Sequence, residues 1–232
     1  MQSVNRRIGA VFFDAVGTIL HPAQPVWETY HKVAKHHGIH LDPSEIGLRL
    51  KQSIATREIN DARQNWQTSE PAEQQRWRNH VAEALGEHPH VDDCFSELWD
   101  WYAQRQAWVL APHVEIVLNQ LARLGLVLGM ASNFDNRLNA ILQQCPELQP
   151  LMAHCIISSQ IGWRKPATQF FADLCAKAGL PAYQILYVGD DPRNDYKGAS
   201  AAGMNALLYN PSRQKEGYQQ ITDLLQVVDY LN

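Results

Sequence analysis

The sequence predicts an α/β protein, a doubly wound parallel sheet interrupted near its N-terminus by an inserted four-helix unit. Three observations carry that expectation. From Pro112 onward, short apolar runs that suit strands buried on both faces alternate with helical stretches. Between Pro22 and Gln106 no comparable strand occurs, and apolar residues recur at helical spacing instead. Similar polar residues also close several of the apolar runs, as expected where a ligand sits at the carboxyl ends of parallel strands.

Taken in order, Ile8 to Phe13 form the first strand, which ends at Asp14 and is broken by Gly17 and Thr18. Pro25 stands where a first-turn proline belongs, ahead of Val26, Tyr30 and Val33. After Pro43, Ile46, Leu50 and Ile54 repeat every four residues. Trp77, Val81 and Leu85 mark a third helix between Pro71 and a stop at Gly86. Phe95, Leu98, Trp99 and Tyr102 mark a fourth. The remaining elements follow as a helix through Val114, Val117, Leu121 and Leu124, a strand over Leu126 to Ala131, and a polar helix start at Asn133 to Asn136. Then come a strand at Cys155 to Ile157, a helix from Ala167 to Ala178, a strand from Ile185 to Val188, a helix from Asp195 to Ala202 and a strand from Asn205 to Tyr209. Ser212 to Gln220 reads as a surface loop and Ile221 to Tyr230 as a peripheral helix. The division is a core of residues 1–21 and 107–232 around a helical unit of residues 22–106.

The bulk numbers narrow the function. Of 232 residues, 45% are hydrophobic and 19% charged, ordinary for a globular protein with a real core. A net charge of −4 without a basic block argues against nucleic acid as a partner. Arg6-Arg7 ahead of Ile8 to Leu20 loosely resembles an export tag, but Asp14 interrupts the apolar stretch and no small-residue cleavage site follows. The uncharged run is shorter than the ~20 residues that span a bilayer. The expectation is a cytoplasmic protein that does not enter a membrane. Cys94, Cys145, Cys155 and Cys175 lack paired spacing and read as reduced thiols rather than disulfides or a zinc site.

The strand ends share one chemistry. Asp14 closes the first strand, Ser132-Asn133 the second, and Gly189-Asp190-Asp191 the strand through Tyr187, while Lys165 lies in Gly162-Trp163-Arg164-Lys165-Pro166 just before a helix. Each has an ordinary alternative: a turn, an N-cap, a solvated lysine, an acidic helix start. Jointly and in order they supply carboxylates, a hydroxyl and a cation, a set that suits a divalent ion and a phosphate.

Val11-Phe12-Phe13-Asp14-Ala15-Val16-Gly17-Thr18-Ile19-Leu20 resembles the first motif of the haloacid dehalogenase-like hydrolases. Ser132-Asn133 resembles their second, Lys165-Pro166 their third, and Val188-Gly189-Asp190 through Asn194-Asp195 their fourth. The insertion falls where that superfamily places a C1-type helical cap. The resemblance implies that Asp14 is a nucleophile forming an aspartyl-phosphate. It implies that Asp14, the Val16 backbone carbonyl and Asp190 ligate Mg²⁺, with Asp195 supporting them and Asp191 a lesser contributor. Ser132, the Asn133 backbone and Lys165 would hold the phosphoryl oxygens of a small phosphorylated substrate.

One position departs from the family. Phosphatases of this kind usually carry a second Asp two residues after the nucleophile as general acid and base; here it is Val16, which transfers no proton. That group is worth typically ~10²–10⁴-fold. Three readings follow: a phosphatase whose substrate has a good leaving group or whose acid comes from the helical unit or from water, a low-activity phosphometabolite-binding or interaction protein, and a dehalogenase. His31, His36 and His37 are the candidate replacement acids. The cap would move about linkers near Leu20 to Pro25 and Ala107 to Pro112. Of the six tryptophans in or beside it, Trp27 or Trp66 could line the substrate pocket, although most of the six suit simple packing. Oligomeric state is not readable from the sequence.

Overall fold

In the computed structural model, residues 8–212 and 216–231 are described; Arg6 and Arg7 of the export-like stretch, and part of the expected loop from Ser212, lie outside them. The chain enters the fold through β1 (Ala10–Phe13), whose four residues are all buried. β2 (Leu20–Pro22) then leads into α1 (Val26–His36), α2 (Pro43–Arg63), α3 (Glu70–Leu85) and α4 (Val91–Trp101). β3 (Trp108–Leu110) returns the chain to α5 (Val114–Arg123), β4 (Val127–Ser132) and α6 (Arg137–Gln143). The short α7 (Gln149–Met152), β5 (Cys155–Ile157) and α8 (Ser158–Ile161) precede α9 (Thr168–Ala178) and β6 (Ile185–Gly189). α10 (Gly198–Ala201), β7 (Asn205–Tyr209), β8 (Gln220–Ile221) and α11 (Gln226–Leu231) complete it.

Six strands form one sheet in the order β5-β4-β1-β6-β7-β8, with every neighbouring pair parallel. Side-chain alternation along β1 serves both faces. Val11 and Phe13 pack with Leu128, Met130, Val117 and Leu121, while Ala10 and Phe12 pack with Phe170, Phe171, Leu174 and Tyr187. Phe13 is in register with Met130 of β4 and Val188 of β6. The next residue, Asp14, therefore emerges level with the ends of both neighbours.

The four inserted helices bury their own cluster, including Tyr30, Ile46, Leu50, Val81, Leu85, Phe95 and Leu98. Burying a Leu or Phe of this kind contributes about 1.5–3 kcal/mol. Local capping fixes the ends. The Asp42 carboxylate accepts from the Ser44 N–H and the Ser69 hydroxyl from the Ala72 N–H, and Gly86 closes α3 at φ 78°.

Several expectations need correction. Ile54, placed on the buried stripe of α2, is exposed, because that helix runs on past the cluster that covers Ile46 and Leu50. The stretch Asn133 to Asn136 is not yet helical; α6 starts at Arg137 after Asp135 and Arg137 pair in a buried bidentate contact. In place of an α-helix from Asp195, a π-helical turn spans Pro192–Lys197 and passes into α10. The expected C-terminal helix is split, since Ile221 joins the sheet edge as β8 and only α11 is helical. The two linkers pair as antiparallel strands, β2 with β3.

Candidate active site

The turn after β1 presents a carboxylate that the sheet holds in place. The Asp14 N–H donates to the Val188 carbonyl at 2.8 Å, and the chain then turns sharply, with the Ile19 and Leu20 N–H groups both donating to the Ala15 carbonyl. Gly17 sits at φ 98°, where L side chains strain, and a Cβ there would run into the Asp190 carboxylate. Gly189 likewise leaves room for Asp195, whose carboxylate a Cβ would meet. These two glycines let three carboxylates approach one another. Ligand oxygens of Asp14, Asp190 and Asp195 all lie within 4.8 Å.

Lys165 stands among them with 2% of its surface exposed. Its Nζ lies 2.5 Å from Asp14 Oδ1, 2.6 Å from Asp195 Oδ1 and 2.9 Å from the Tyr187 hydroxyl. Burial works against the ammonium, yet the Asp14 and Asp195 carboxylates outweigh it and hold the lysine well above its ordinary value. The Ser132 hydroxyl donates to Asp14 Oδ1 at 2.9 Å. Asn133 grips the lysine's backbone: its Oδ1 accepts the Lys165 N–H at 2.7 Å and its Nδ2 donates to the Lys165 carbonyl at 3.1 Å. The Lys165–Pro166 peptide bond is cis.

One lysine does not balance three carboxylates. Desolvation first, then the charges of Asp14 and Asp195, push the Asp190 carboxyl up to about 7. Asp195, buried beside Lys165, is pushed up to about 6, chiefly by burial. Carboxyls that resist ionisation in this way mark a place prepared for further positive charge.

Asp14, Val16, Ser132, Asn133, Lys165, Asp190 and Asp195, together with Asp191, line one cavity of about 240 Å³. Asp191 has a structural task as the N-cap of the π-helical turn, its Oδ1 accepting the Arg193 and Asn194 N–H groups at 2.7 and 2.9 Å. His31, His36 and His37 do not line this cavity; the first engages the Leu41 carbonyl and the other two Glu97. Trp27 borders a surface depression with Asp42 and Pro43, whereas Trp66 lines a second cavity of about 180 Å³ that adjoins the first.

A family model described as haloacid dehalogenase-like hydrolase matches residues 8–203. The chain is a haloacid dehalogenase-like hydrolase. Haloacid dehalogenase-like hydrolase domain-containing protein 3 of Xenopus laevis is 26% identical over 207 residues, covering 87% of this chain and 84% of that one. Phosphoserine phosphatase of Thermus thermophilus is 27% identical over 124 residues, or 53% of this chain and 50% of that one. Among solved structures, a dehalogenase with an intermediate complex superposes with a TM-score of 0.74 at 16% identity, covering 97% of each chain.

In this hydrolase the helical unit is fastened over the site by residues that sequence reasoning passed over. The Thr68 N–H donates to the Gly162 carbonyl and the Arg164 N–H to the Trp66 carbonyl, so the α2–α3 connection pairs with the backbone just before Lys165. Arg164 pairs with Glu73, which also accepts the Thr68 hydroxyl at 2.6 Å, and Arg76 makes a bidentate contact of 2.7 Å with Asp61. Burial would raise the Glu73 carboxyl, but Arg164 and Arg76 outweigh it and hold it below the usual range. Arg193 lies over the Trp66 ring at 4.9 Å, and Asn194 donates to Glu58 at 3.1 Å. The one available clue was Arg164, adjacent in sequence to Lys165. Glu73 and Asp61 look like ordinary helix-surface acids until folding brings them to the core. Among the described residues, no helix is long and apolar enough to cross a membrane.

Proposed function

We propose that this hydrolase is a Mg²⁺-dependent phosphatase acting on a small phosphorylated metabolite through an aspartyl-phosphate on Asp14. The observation that carries this reading is the surplus of carboxylate at the strand ends, where Asp190 is pushed up to about 7 beside a lysine that Asp14 and Asp195 already share. A divalent ion would be held by Asp14, the Val16 carbonyl and Asp190 with Asp195 in support, and when bound it neutralises the charge that otherwise repels a phosphate. Asp14 attacks phosphorus as the ester oxygen leaves, and water then attacks the aspartyl-phosphate to release inorganic phosphate. Ser132, the Asn133 backbone and Lys165 hold the phosphoryl oxygens.

Residues 22–106 act as the cap, excluding water from the reacting phosphate. The adjoining cavity of about 180 Å³, walled by Trp66, Trp77, Arg76 and Arg164, receives the leaving group. That space is below the ~300–1,000 Å³ of drug-sized pockets and favours a compact metabolite over a nucleic acid.

Val16 favours a second reading, a phosphometabolite-binding protein with little turnover, because it supplies no proton to a departing alkoxide. The dehalogenase reading ranks third, since the crowded carboxylates suit a metal that dehalogenases do without. The deciding assay is phosphate release from aryl, acyl and alkyl phosphates with Mg²⁺, with EDTA, and with Asp14→Asn. Metal-dependent release abolished by Asp14→Asn supports the phosphatase. Background release across the panel from folded protein would favour the binding protein. Val16→Asp raises turnover of alkyl phosphates by about 10²-fold or more and of aryl phosphates far less; equal effects on both would reject the missing acid as the limit.

A further inference from the structure

Away from the strand ends, the last residue of α1 and the residue that caps it converge on α4. His36 Nδ1 lies 2.9 Å and His37 Nε2 2.8 Å from the same oxygen, Glu97 Oε2. Neighbours in a regular helix point about 100° apart. These two meet because His37 has left the helix, at φ −92° and ψ 16°, and because the rings present different nitrogens to one point. The ring centroids are 4.9 Å apart, and one donor atom from each of the three residues lies within 4.8 Å of the others.

We propose that His36, His37 and Glu97 form a transition-metal site, separate from the strand-end carboxylates, that takes Zn²⁺ or a similar borderline ion and staples α1 to α4. Two imidazole nitrogens and a carboxylate oxygen are three of the four ligands of a tetrahedral zinc site, with water as the fourth. At metal–ligand distances of ~2.0–2.1 Å, tetrahedral ligand atoms stand about 3.3 Å apart. The two N···O contacts therefore need to widen by about half an ångström. The side chains have that freedom, since His36 is 71% and Glu97 41% exposed.

Charge favours a cation here. α4 carries Asp92, Asp93, Glu97 and Asp100 with no Lys or Arg of its own. Of the nearby cations, Lys32 is turned toward Gln24 and Arg78 toward Asp92, leaving Lys35 one position from His36. Imidazole ligands select Zn²⁺, Ni²⁺ or Cu²⁺ over Mg²⁺, which prefers oxygen. The ion would join residues 61 positions apart, and because only the folded chain assembles the ligands, binding stabilises the fold.

The test is calorimetric titration of the full chain with Zn²⁺ in millimolar Mg²⁺, alongside thermal unfolding. Wild type is expected to take up one Zn²⁺ per chain with a rise in Tm. His36→Ala removes an exposed ligand, and Glu97→Gln keeps an acceptor oxygen while removing its charge. Each should weaken Zn²⁺ binding by about tenfold or more and shrink the Tm rise at a given Zn²⁺ concentration, with metal-free unfolding showing that the variants fold. His90→Ala, on the neighbouring His90–Asp93 pair, should leave binding intact. Absence of Zn²⁺ uptake, unchanged affinity in both ligand variants, or loss of binding in Asp190→Asn or His90→Ala instead would each overturn the proposal.

Discussion

Two ionic clusters line adjoining cavities, and they are built on opposite principles. Where α2 and α3 meet the backbone just before Lys165, Asp61 and Glu73 face Arg76 and Arg164, two charges against two, and the Glu73 carboxyl is held below its usual range. At the strand ends, Asp14, Asp190 and Asp195 surround Lys165 alone, and the Asp190 and Asp195 carboxyls are pushed up to about 7 and about 6. A balanced cluster is complete without a ligand and serves the fold. An unbalanced one is kept short of a charge, which is how a site that binds and reacts is expected to differ from one that fastens.

The largest effect should come from emptying the unbalanced cluster of its least buried acid. Asp190→Asn is expected to lower Mg²⁺-dependent phosphate release by about 10²-fold or more. In the metal-free protein it should not destabilise the fold, because it relieves repulsion among three carboxylates. Mg²⁺ should raise the Tm of wild type and not of the variant. A metal-free variant clearly less stable than wild type would break the contrast, since Asp190 would then be contributing to the fold.

The balanced cluster should behave the other way. Glu73→Gln leaves Arg164 and Arg76 with Asp61 alone, and removing one partner of a buried pair costs about 3–5 kcal/mol. Both guanidiniums reach some solvent, so the loss should fall near the lower end. Urea denaturation of the metal-free protein measures it, and a loss below about 1 kcal/mol, the worth of a surface pair, would place Glu73 with ordinary exposed acids.

The two regions also carry opposite pH signatures. His80, buried against Ser53 at the wall of the cavity of about 180 Å³, is pulled down to about 4, by burial first and then by Arg76. Its folded form binds fewer protons than its unfolded form, so its stability contribution is full above pH 6.5 and lost as pH falls toward about 4. The amount is up to about 3 kcal/mol. For Asp190 and Asp195 the folded pKa is raised, so stability is present below the ordinary carboxyl value and lost as pH rises through about 6 to 7. Metal-free stability against pH for wild type, His80→Asn and Asp190→Asn separates them. The first substitution should remove the loss on acidification, the second part of the loss on alkalinisation. Parallel curves for all three proteins would show that neither group titrates as its surroundings demand.

The unbalanced cluster was legible in the sequence because its members are local events. Each carboxylate, hydroxyl or amine follows a strand end, and a parallel sheet gathers strand ends by construction. The fold was legible for the same reason: β5 and β7 span Cys155–Ile157 and Asn205–Tyr209, the runs their apolar composition marks. The balanced cluster could not be read, since Glu73 and Arg164 stand 91 positions apart on helix and loop, and no period links them. β2 and β3 escaped because three residues are too few to show alternation, and the π-helical turn because the Asp191 cap and Pro192 reset the helix start. The Asn133 side chain adds a lesson of scale. The position was legible as part of the site, but its clamp on the Lys165 backbone needs coordinates.

The smallest effect sharpens the comparison most finely, because it asks whether a neutral group matters in a cluster dominated by charge. Tyr187 is wholly buried; its hydroxyl accepts from Lys165 Nζ at 2.9 Å and donates to the Ala131 carbonyl at 2.6 Å. It is a positioning residue, fixing the ammonium between Asp14 and Asp195 without reaching the cavity. Tyr187→Phe keeps the ring against Phe171, with centroids 5.7 Å apart, and removes only the oxygen. The Ala131 carbonyl retains a donor, since Lys165 Nζ already lies 3.3 Å away. The expected loss is therefore that of one net hydrogen bond, about 1 kcal/mol, or roughly fivefold in kcat. KM should stay constant, because the two carboxylates keep the lysine in the site. If KM rises instead while kcat holds, the phenol acts on substrate affinity rather than on the placing of the ammonium. A loss beyond about 3 kcal/mol would mean that charge alone does not hold Lys165, and that the unbalanced cluster depends on its neutral partner as closely as the balanced one depends on its paired charges.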